Sequence, residues 1–283
     1  MSEIRVLRRL SDELDRASGE GGGLGDGEAA ELWGALSGLT PAEVWLRRES
    51  EASPDLVERF WKAVADRKRG VPFAYVAGSV GFRTLDLKID PRALIPRPET
   101  EGLVELVLKH GSRGLVADIG TGSGCIALSL AVEGTFDKVI AVERSAQAAA
   151  LARENLERVG PRTPVEIREG NLLEPLVDKG ERFRAIVSNP PYVTSAEFDE
   201  LDASVRDFEP RDALVGGTSG LDATRGLFAG AGRLLETGGL LAIEIDERRA
   251  DAVRALGREY GWVVEIHDDV FGCPRYALSI KED

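Results

Sequence analysis

With 283 residues, 43% of them hydrophobic and 30% charged, the chain suits a globular protein built from one large domain and one small one. A net charge of −13 argues against gripping nucleic acid through phosphate contacts, which needs clustered Lys and Arg. Two cysteines (Cys125, Cys273) and two histidines (His110, His267) exclude a disulfide framework and give no support to a structural metal.

Residues 1–75 carry helix signals and no strand signal. In "IRVLRRLSDEL", Ile4, Leu7, Leu10 and Leu14 share one helical stripe. The glycine-rich "GEGGGLGDG" at 19–27 reads as a flexible loop. Thr40 before Pro41, and Ser53 before Pro54, each pair an N-cap with proline at the first helical position; the second helix should stop at Gly70. The expectation is a small helical bundle that caps the rest of the chain or docks a protein partner. The N-terminus lacks a signal peptide's apolar centre, and no apolar run approaches the ~18 residues of a membrane span. A cytoplasmic location without membrane contact is therefore expected.

Alternation of Phe82, Leu85, Leu87 and Ile89 in "SVGFRTLDLKID" predicts a short hairpin. Beyond residue 100 the pattern changes. Strand candidates fall at 114–119, 138–143, 164–169, 183–189, 239–245, 262–267 and 275–280. Helical segments lie between most of them: "CIALSLAVE", "SAQAAALARENLERVG", "GLDATRGLFAGAGRLLE" and "RRADAVRALGREYG". Apolar strands alternating with helices predict an α/β domain with a mostly parallel sheet covered on both faces. The expected organisation is a helical domain over 1–75, a hairpin linker over 76–95 and the α/β domain over 96–283.

"VADIGTGSGCIAL" joins a buried strand to a helix through Gly120, Thr121, Gly122, Ser123 and Gly124. Glycine permits the tight turn and lets backbone approach a ligand, to which the helix N-terminus offers free N–H groups. Asp118 stands two residues before the first glycine. The G-x-G-x-G spacing is not the dinucleotide-binding G-x-G-x-x-G, and no Lys-Ser/Thr pair marks a phosphate-cradling loop. Glu143, about 20 residues on at the end of the next strand, can accept hydrogen bonds from both hydroxyls of a ribose. Together these suggest an adenosine-bearing ligand with no required phosphate, of which S-adenosylmethionine is the obvious member. The bland alternatives are a capping carboxylate for Asp118 and an exposed strand-end charge for Glu143.

"SNPPYV" follows the apolar run "FRAIV" and ends a predicted core strand on Asn189, Pro190, Pro191 and Tyr192. In an open α/β sheet, ligands sit beyond the carboxyl ends of the strands, so Asn189 should emerge at the same edge as the glycine loop. The prolines stiffen the turn and remove two backbone donors. The Asn189 carbonyl and the Pro190 carbonyl offer two acceptors, and Tyr192 offers a flat face. Two acceptors and a ring describe a receptor for a planar –NH2 group whose nitrogen is to be methylated. The bland reading is a rigid loop with a packed tyrosine.

The two motifs together resemble the Rossmann-like methyltransferases that modify –NH2 nitrogens. "FAYVAGSVGFRTLDLKIDPRALIPRPETEGLVE" closely resembles the HemK/PrmC family, the N5-glutamine methyltransferases of peptide chain release factors. "FEPRDAL" (208–214), "GGTSGLD" (216–222), "EID" (244–246) and "DVFGCPR" (269–275) are further matches. The resemblance implies that Asn189, Pro190, Pro191 and Tyr192 hold the glutamine of the substrate's Gly-Gly-Gln motif. It implies likewise that Gly120 to Gly124 and Glu143 hold S-adenosylmethionine, released as S-adenosylhomocysteine. Pro96, Arg97, Pro98 and Glu99 would shape the substrate entrance. A monomer whose partners are release factors, with no direct nucleic-acid contact, is expected.

Two departures stand out. The ribose carboxylate is usually Asp in the family and here is Glu143. Where the family has Asp and an aromatic residue beside the adenine, this chain has Asn171 and Leu172. Three rival readings remain: a glutamine methyltransferase of a ribosomal protein, an adenine N6-methyltransferase of nucleic acid, and a non-catalytic sensor of the cofactor.

Overall fold

The computed structural model describes residues 9–19 and 23–282; Ile4 and Leu7 lie outside them. Hydroxyl-plus-proline starts set two N-terminal helices where the sequence predicts them. Thr40 Oγ1 accepts from Glu43 N at 3.3 Å while the Glu43 carboxylate accepts from Thr40 N at 2.8 Å, opening the helix Pro41–Leu46. Ser53 Oγ accepts from Leu56 N at 3.4 Å and opens Pro54–Lys68. Two further helices, Leu10–Ser18 and Asp26–Ser37, complete a core of Leu10, Leu14, Leu32, Trp33 and Phe60. The Trp33 and Phe60 rings meet edge-on at 5.0 Å. Asp26–Ser37 begins inside the stretch expected to be loop, because its apolar positions find this core.

The described residues divide into two compact units: those up to 79 with 203–208, and 80–202 with 209–282. The predicted hairpin is present as β1 (Ser79–Phe82) and β2 (Leu85–Lys88). It does not behave as a spacer. Phe82, Leu85 and Leu87 are buried in one cluster with Leu103, Val104 and Leu128. Arg83, at the hairpin turn with φ of 51°, donates to the carboxylates of Glu105 and Glu133 and, through its backbone N–H, to Glu101.

The main sheet comprises β3 (Leu115–Ile119), β4 (Lys138–Glu143), β5 (Val165–Glu169), β6 (Phe183–Ser188), β7 (Leu235–Glu244), β8 (Glu265–Asp268) and β9 (Pro274–Ile280). Its order is β5-β4-β3-β6-β7-β9-β8. The pairings from β5 to β7 are parallel, while β9 runs antiparallel to both β7 and β8. The antiparallel edge follows from the short Asp269–Cys273 connection, which is too brief for a crossover helix. Helices Pro98–His110, Cys125–Glu133, Ala146–Val159, Asp222–Ala231 and Ala250–Glu259 accompany the sheet. Apolar clusters gather around opposite sets of strand residues: Val116, Val139, Ala185 and Val187 in one, Ala117, Ile140, Ile186 and Leu241 in the other.

Two boundaries differ from the expectation. The segment "RLLE", predicted to end a helix, enters β7, where Leu235 pairs with Phe183. Trp262 to Val264 precede β8 instead of belonging to it; the buried Trp262 indole donates to the Phe228 carbonyl at 2.8 Å and anchors the segment there.

Candidate active site

β3 and β6 lie side by side, with Ile119 in register with Ser188. Ser188 Oγ donates to the Ile119 carbonyl at 2.7 Å. One residue further, the two strands release Gly120 and Asn189 at the same sheet edge. The glycine loop and the Asn-Pro-Pro-Tyr turn are thus neighbours.

The glycine loop turns back on β4: Gly120 N and Thr121 N both donate to the Val142 carbonyl, at 2.8 and 3.0 Å. Gly120, Gly122 and Gly124 have φ of 75°, 56° and 88°, the left-handed region that glycine enters without penalty. They play different parts. A Cβ on Gly120 or Gly122 would meet no atom within 4 Å, so the backbone there borders open space. A Cβ on Gly124 would press on Leu128 Cδ1 at 3.2 Å.

Asp118 is fully buried beneath the loop. One carboxylate oxygen accepts from the Thr121 hydroxyl and from Ala127 N, the latter at 3.1 Å. The other, Oδ1, has no hydrogen-bond partner among the described residues. Burial pushes its pKa from 3.8 to about 7, against the pull of those two bonds. Glu143, at the end of β4, accepts from Gly122 N at 2.9 Å and Ser145 N at 2.8 Å. Those contacts leave lone pairs on both oxygens, since a carboxylate offers about four acceptor positions. Open glycine backbone, an orphaned buried acceptor and a half-buried carboxylate make a cradle that could hold an adenosine-bearing cation.

Asn171 is exposed just beyond β5, after Gly170 N donates to the Glu143 carbonyl at 2.9 Å. Leu172 adopts φ of 47°, and its side chain leans on the helix Asp222–Ala231: a Cβ on Gly226 would lie 2.4 Å from Leu172 Cδ1.

On the other side, the Asn189 amide donates through Nδ2 to Thr100 Oγ1 at 3.0 Å, and Thr100 donates to Glu244 Oε2 at 2.7 Å. Pro190 is buried; Pro191 and Tyr192 are half-buried. Burial raises the Tyr192 phenol to about 12, helped by the charge of Glu244, so the ring stays neutral. The turn is braced from outside by "GGTSGLD". Val193 N donates to Leu214 O and Gly216 N to Val193 O. A Cβ on Gly216 would sit 2.2 Å from the Pro191 carbonyl oxygen, and one on Gly220 would sit 2.3 Å from that of Tyr192.

The "IPRPETE" segment runs over the ends of β6 and β7. Pro96 is buried, Arg97 pairs with the buried Glu209, and Glu209 also accepts from Ile95 N at 3.1 Å. Pro98 starts the helix Pro98–His110, and the Glu99 carbonyl accepts from Tyr276 Oη at 2.6 Å. Gly102 makes room for that hydroxyl: a Cβ there would lie 2.2 Å from it.

Sequence reasoning gave no role in this assembly to Asn155, to Thr100, or to Glu209 and Glu244, which stood only within the matched stretches "FEPRDAL" and "EID". Asn155 is buried and bridges the hairpin to the glycine loop, donating to the Lys88 and Ser123 carbonyls at 2.9 Å each and accepting from Lys88 N at 2.7 Å. A signal existed: Asn155 shares the buried stripe of Ala148, Leu151 and Ala152, where an amide needs partners.

A mostly parallel sheet with a glycine-rich first turn, an acidic second-strand end and an Asn-Pro-Pro-Tyr turn beside them defines a class I, Rossmann-like methyltransferase. Solved structures agree on that fold. A Pyrococcus furiosus methyltransferase superposes with a TM-score of 0.54 at 22% identity, covering 82% of this chain and 100% of its own. The T. thermophilus 16S rRNA N2 G1207 methyltransferase, solved with AdoMet and guanosine, gives a TM-score of 0.50 at 19% identity over 72% of this chain and 49% of its own. Residues 98–205 match the family model described as Methyltransferase small domain, and residues 6–78 match PrmC N-terminal domain. The release factor glutamine methyltransferase of Moorella thermoacetica is 43% identical over 237 residues, 83% of both chains. That of Xylella fastidiosa strain Temecula1 is 45% identical over 267 residues, 93% of this chain and 91% of the other. The chain belongs to the release factor glutamine methyltransferase family.

Proposed function

We propose that this protein methylates the side-chain amide nitrogen (N5) of the glutamine in the Gly-Gly-Gln motif of peptide chain release factors. S-adenosylmethionine supplies the electrophilic methyl and leaves as S-adenosylhomocysteine. Gly120 to Gly124 with Asp118 form the floor of its cradle, Glu143 meets the ribose, and Asn171 and Leu172 lie on the adenine side. Asn189 Oδ1 and the Pro190 carbonyl accept the two hydrogens of the glutamine –NH2, with Pro191 and Tyr192 completing the slot. Pro96, Arg97, Pro98 and Glu99 border the substrate entrance.

An amide nitrogen is a poor nucleophile because its lone pair is delocalised into the carbonyl. Holding both hydrogens in one plane favours pyramidalisation and aims the lone pair at the methyl. Positioning of this kind can supply about 7–11 kcal/mol of a barrier at the extreme. No strong base is needed, because the methylated nitrogen releases its proton readily to water, and neutral Tyr192 serves as a ring, not a base. The reaction takes place in the cytoplasm, where a translation factor is met, and a monomer suffices for it.

The observation that carries this reading is the direction of the Asn189 amide: its –NH2 end is taken by Thr100, and its acceptor end remains for a ligand. Mass spectrometry of a release factor co-expressed with the protein is the test. The Gly-Gly-Gln peptide should gain the mass of one CH2, located on the glutamine side chain. An unmodified peptide, with the mark on a ribosomal protein or on adenine instead, would replace this reading by one of its rivals.

A further inference from the structure

Thr100 and Glu244 are both buried, and neither belongs to the glycine loop or to the Asn-Pro-Pro-Tyr turn. Thr100 lies in the first turn of the helix Pro98–His110; Glu244 ends β7. Their hydroxyl and carboxylate form a two-step relay ending on Asn189, with separations of 2.7 and 3.0 Å. The relay has a direction. A hydroxyl owns one proton, and an ionised carboxylate can only accept it. While the Thr100 hydroxyl donates its hydrogen bond to Glu244, only its lone pairs face Asn189. Only the –NH2 end of the amide can meet them, which turns Oδ1 the other way.

An asparagine side chain is almost symmetric in shape, so packing alone barely distinguishes its two flip states. Chemistry distinguishes them sharply. In one flip a substrate –NH2 meets an acceptor; in the other it meets a second –NH2. We infer that Thr100 and Glu244 are positioning residues that set the flip state of Asn189 and so decide whether the substrate amide is received or repelled. The inference rests on the proposed role of Asn189 as the amide receptor and adds to it the device that orients it.

The relay also has a switch. Burial raises the Glu244 carboxyl to about 7, while Thr100, Arg275 and Asn189 pull it down and Glu99 pushes it up. The other titratable groups feeling its charge are Tyr192, Tyr276 and Cys125. When protonated, Glu244 can donate to Thr100, which frees the threonine proton for Asn189 Oδ1. That reverses every bond in the chain and turns the amide round. Activity should therefore fall as pH drops through about 7.

The test uses the full-length protein, a release factor and saturating cofactor, so that kcat is read separately from cofactor affinity. At about pH 8, Thr100→Val, which keeps shape and removes the hydroxyl, should lose about 100-fold in kcat, the scale of a misplaced reacting group. Its cofactor affinity by calorimetry should stay at the wild-type level, and Thr100→Ser should restore most of the rate. Wild-type kcat should show an acid limb near pH 7, and Glu244→Gln, which cannot titrate, should show none. Wild-type kcat in Thr100→Val overturns the inference. So does a flat wild-type profile, which decides the matter even where Thr100→Val fails to fold. A wild-type protein that methylates no release factor overturns the proposed function itself, an outcome distinct from active wild type with unaffected variants.

Discussion

Ser188 and Ile119 are register partners on adjacent parallel strands, tied by a side-chain bond of 2.7 Å to the Ile119 carbonyl. This pairing brings the glycine loop and the Asn-Pro-Pro-Tyr turn to one edge of the sheet, because each begins one residue beyond its half of the pair. The proposed cofactor cradle and the proposed amide receptor thus share one support.

Asn189→Ala removes the acceptor while leaving the glycine loop intact. Its kcat should fall by about 100-fold or more, and most of the cofactor affinity should survive in a calorimetric titration. A cofactor sensor would show no turnover to lose in the wild type.

Gly122→Ala and Gly124→Ala should fail differently. At Gly122 a methyl group enters open space. The left-handed backbone costs about 1–2 kcal/mol for an L-residue, and the methyl occupies room meant for ligand, so cofactor Kd should rise by about tenfold, or about 1.4 kcal/mol. At Gly124 the methyl meets Leu128 Cδ1 at 3.2 Å and Ala152 Cβ at 3.5 Å, so a loss of melting temperature should dominate. Calorimetry and thermal melting together separate the two.

Gly216→Ala places a methyl 2.2 Å from the Pro191 carbonyl oxygen, a backbone atom with no side-chain freedom to move away. The Asn-Pro-Pro-Tyr turn must shift. Methylation should be lost while cofactor affinity stays near wild type, a split visible by running the assay and the titration on the same preparation.

Asn171→Asp should tighten the cofactor. A carboxylate at this exposed position beside Glu143 accepts a hydrogen bond from an adenine amino group with charge assistance, for a gain of about 1 kcal/mol. An affinity unchanged or lowered would remove Asn171 from the adenine side of the cradle.

Asp118→Asn should change how stability depends on pH. Folding raises the Asp118 pKa from 3.8 to about 7. Between those values the folded carboxyl holds a proton that the unfolded one has lost, so its contribution to stability falls as pH rises from about 4 to about 7 and is constant above. Asparagine carries no such dependence. The melting temperature of Asp118→Asn relative to wild type should therefore increase across that range, whatever its offset at pH 4. A constant difference would mean that Asp118 titrates normally.

Much of this protein is legible without coordinates where the determinants are local. Thr40 and Ser53 cap their helices because a hydroxyl, a proline and the following N–H groups lie within three residues. The strand from 138 to 143 and the helix "CIALSLAVE" have the predicted bounds, since a run of apolar residues and a flanking glycine carry that information in one window. The glycine loop, Glu143 and the Asn-Pro-Pro-Tyr turn were visible for the same reason: each motif is a contiguous segment whose backbone constraints follow from its own residues.

Tertiary structure alone decided how those segments meet. Thr100 reaches Asn189 across 89 positions and Glu244 across 144. Asn155 clasps the hairpin from 67 positions away, and β9 turns antiparallel against β7. Periodicity states which side of a strand or helix is apolar, but not which buried polar group will face which other. That choice is made when strand order and register close the core, because only then do desolvated hydroxyls, amides and carboxylates have to find partners. The residues that meet at the β3–β6 edge were written in the sequence; which of them face one another was set by the fold.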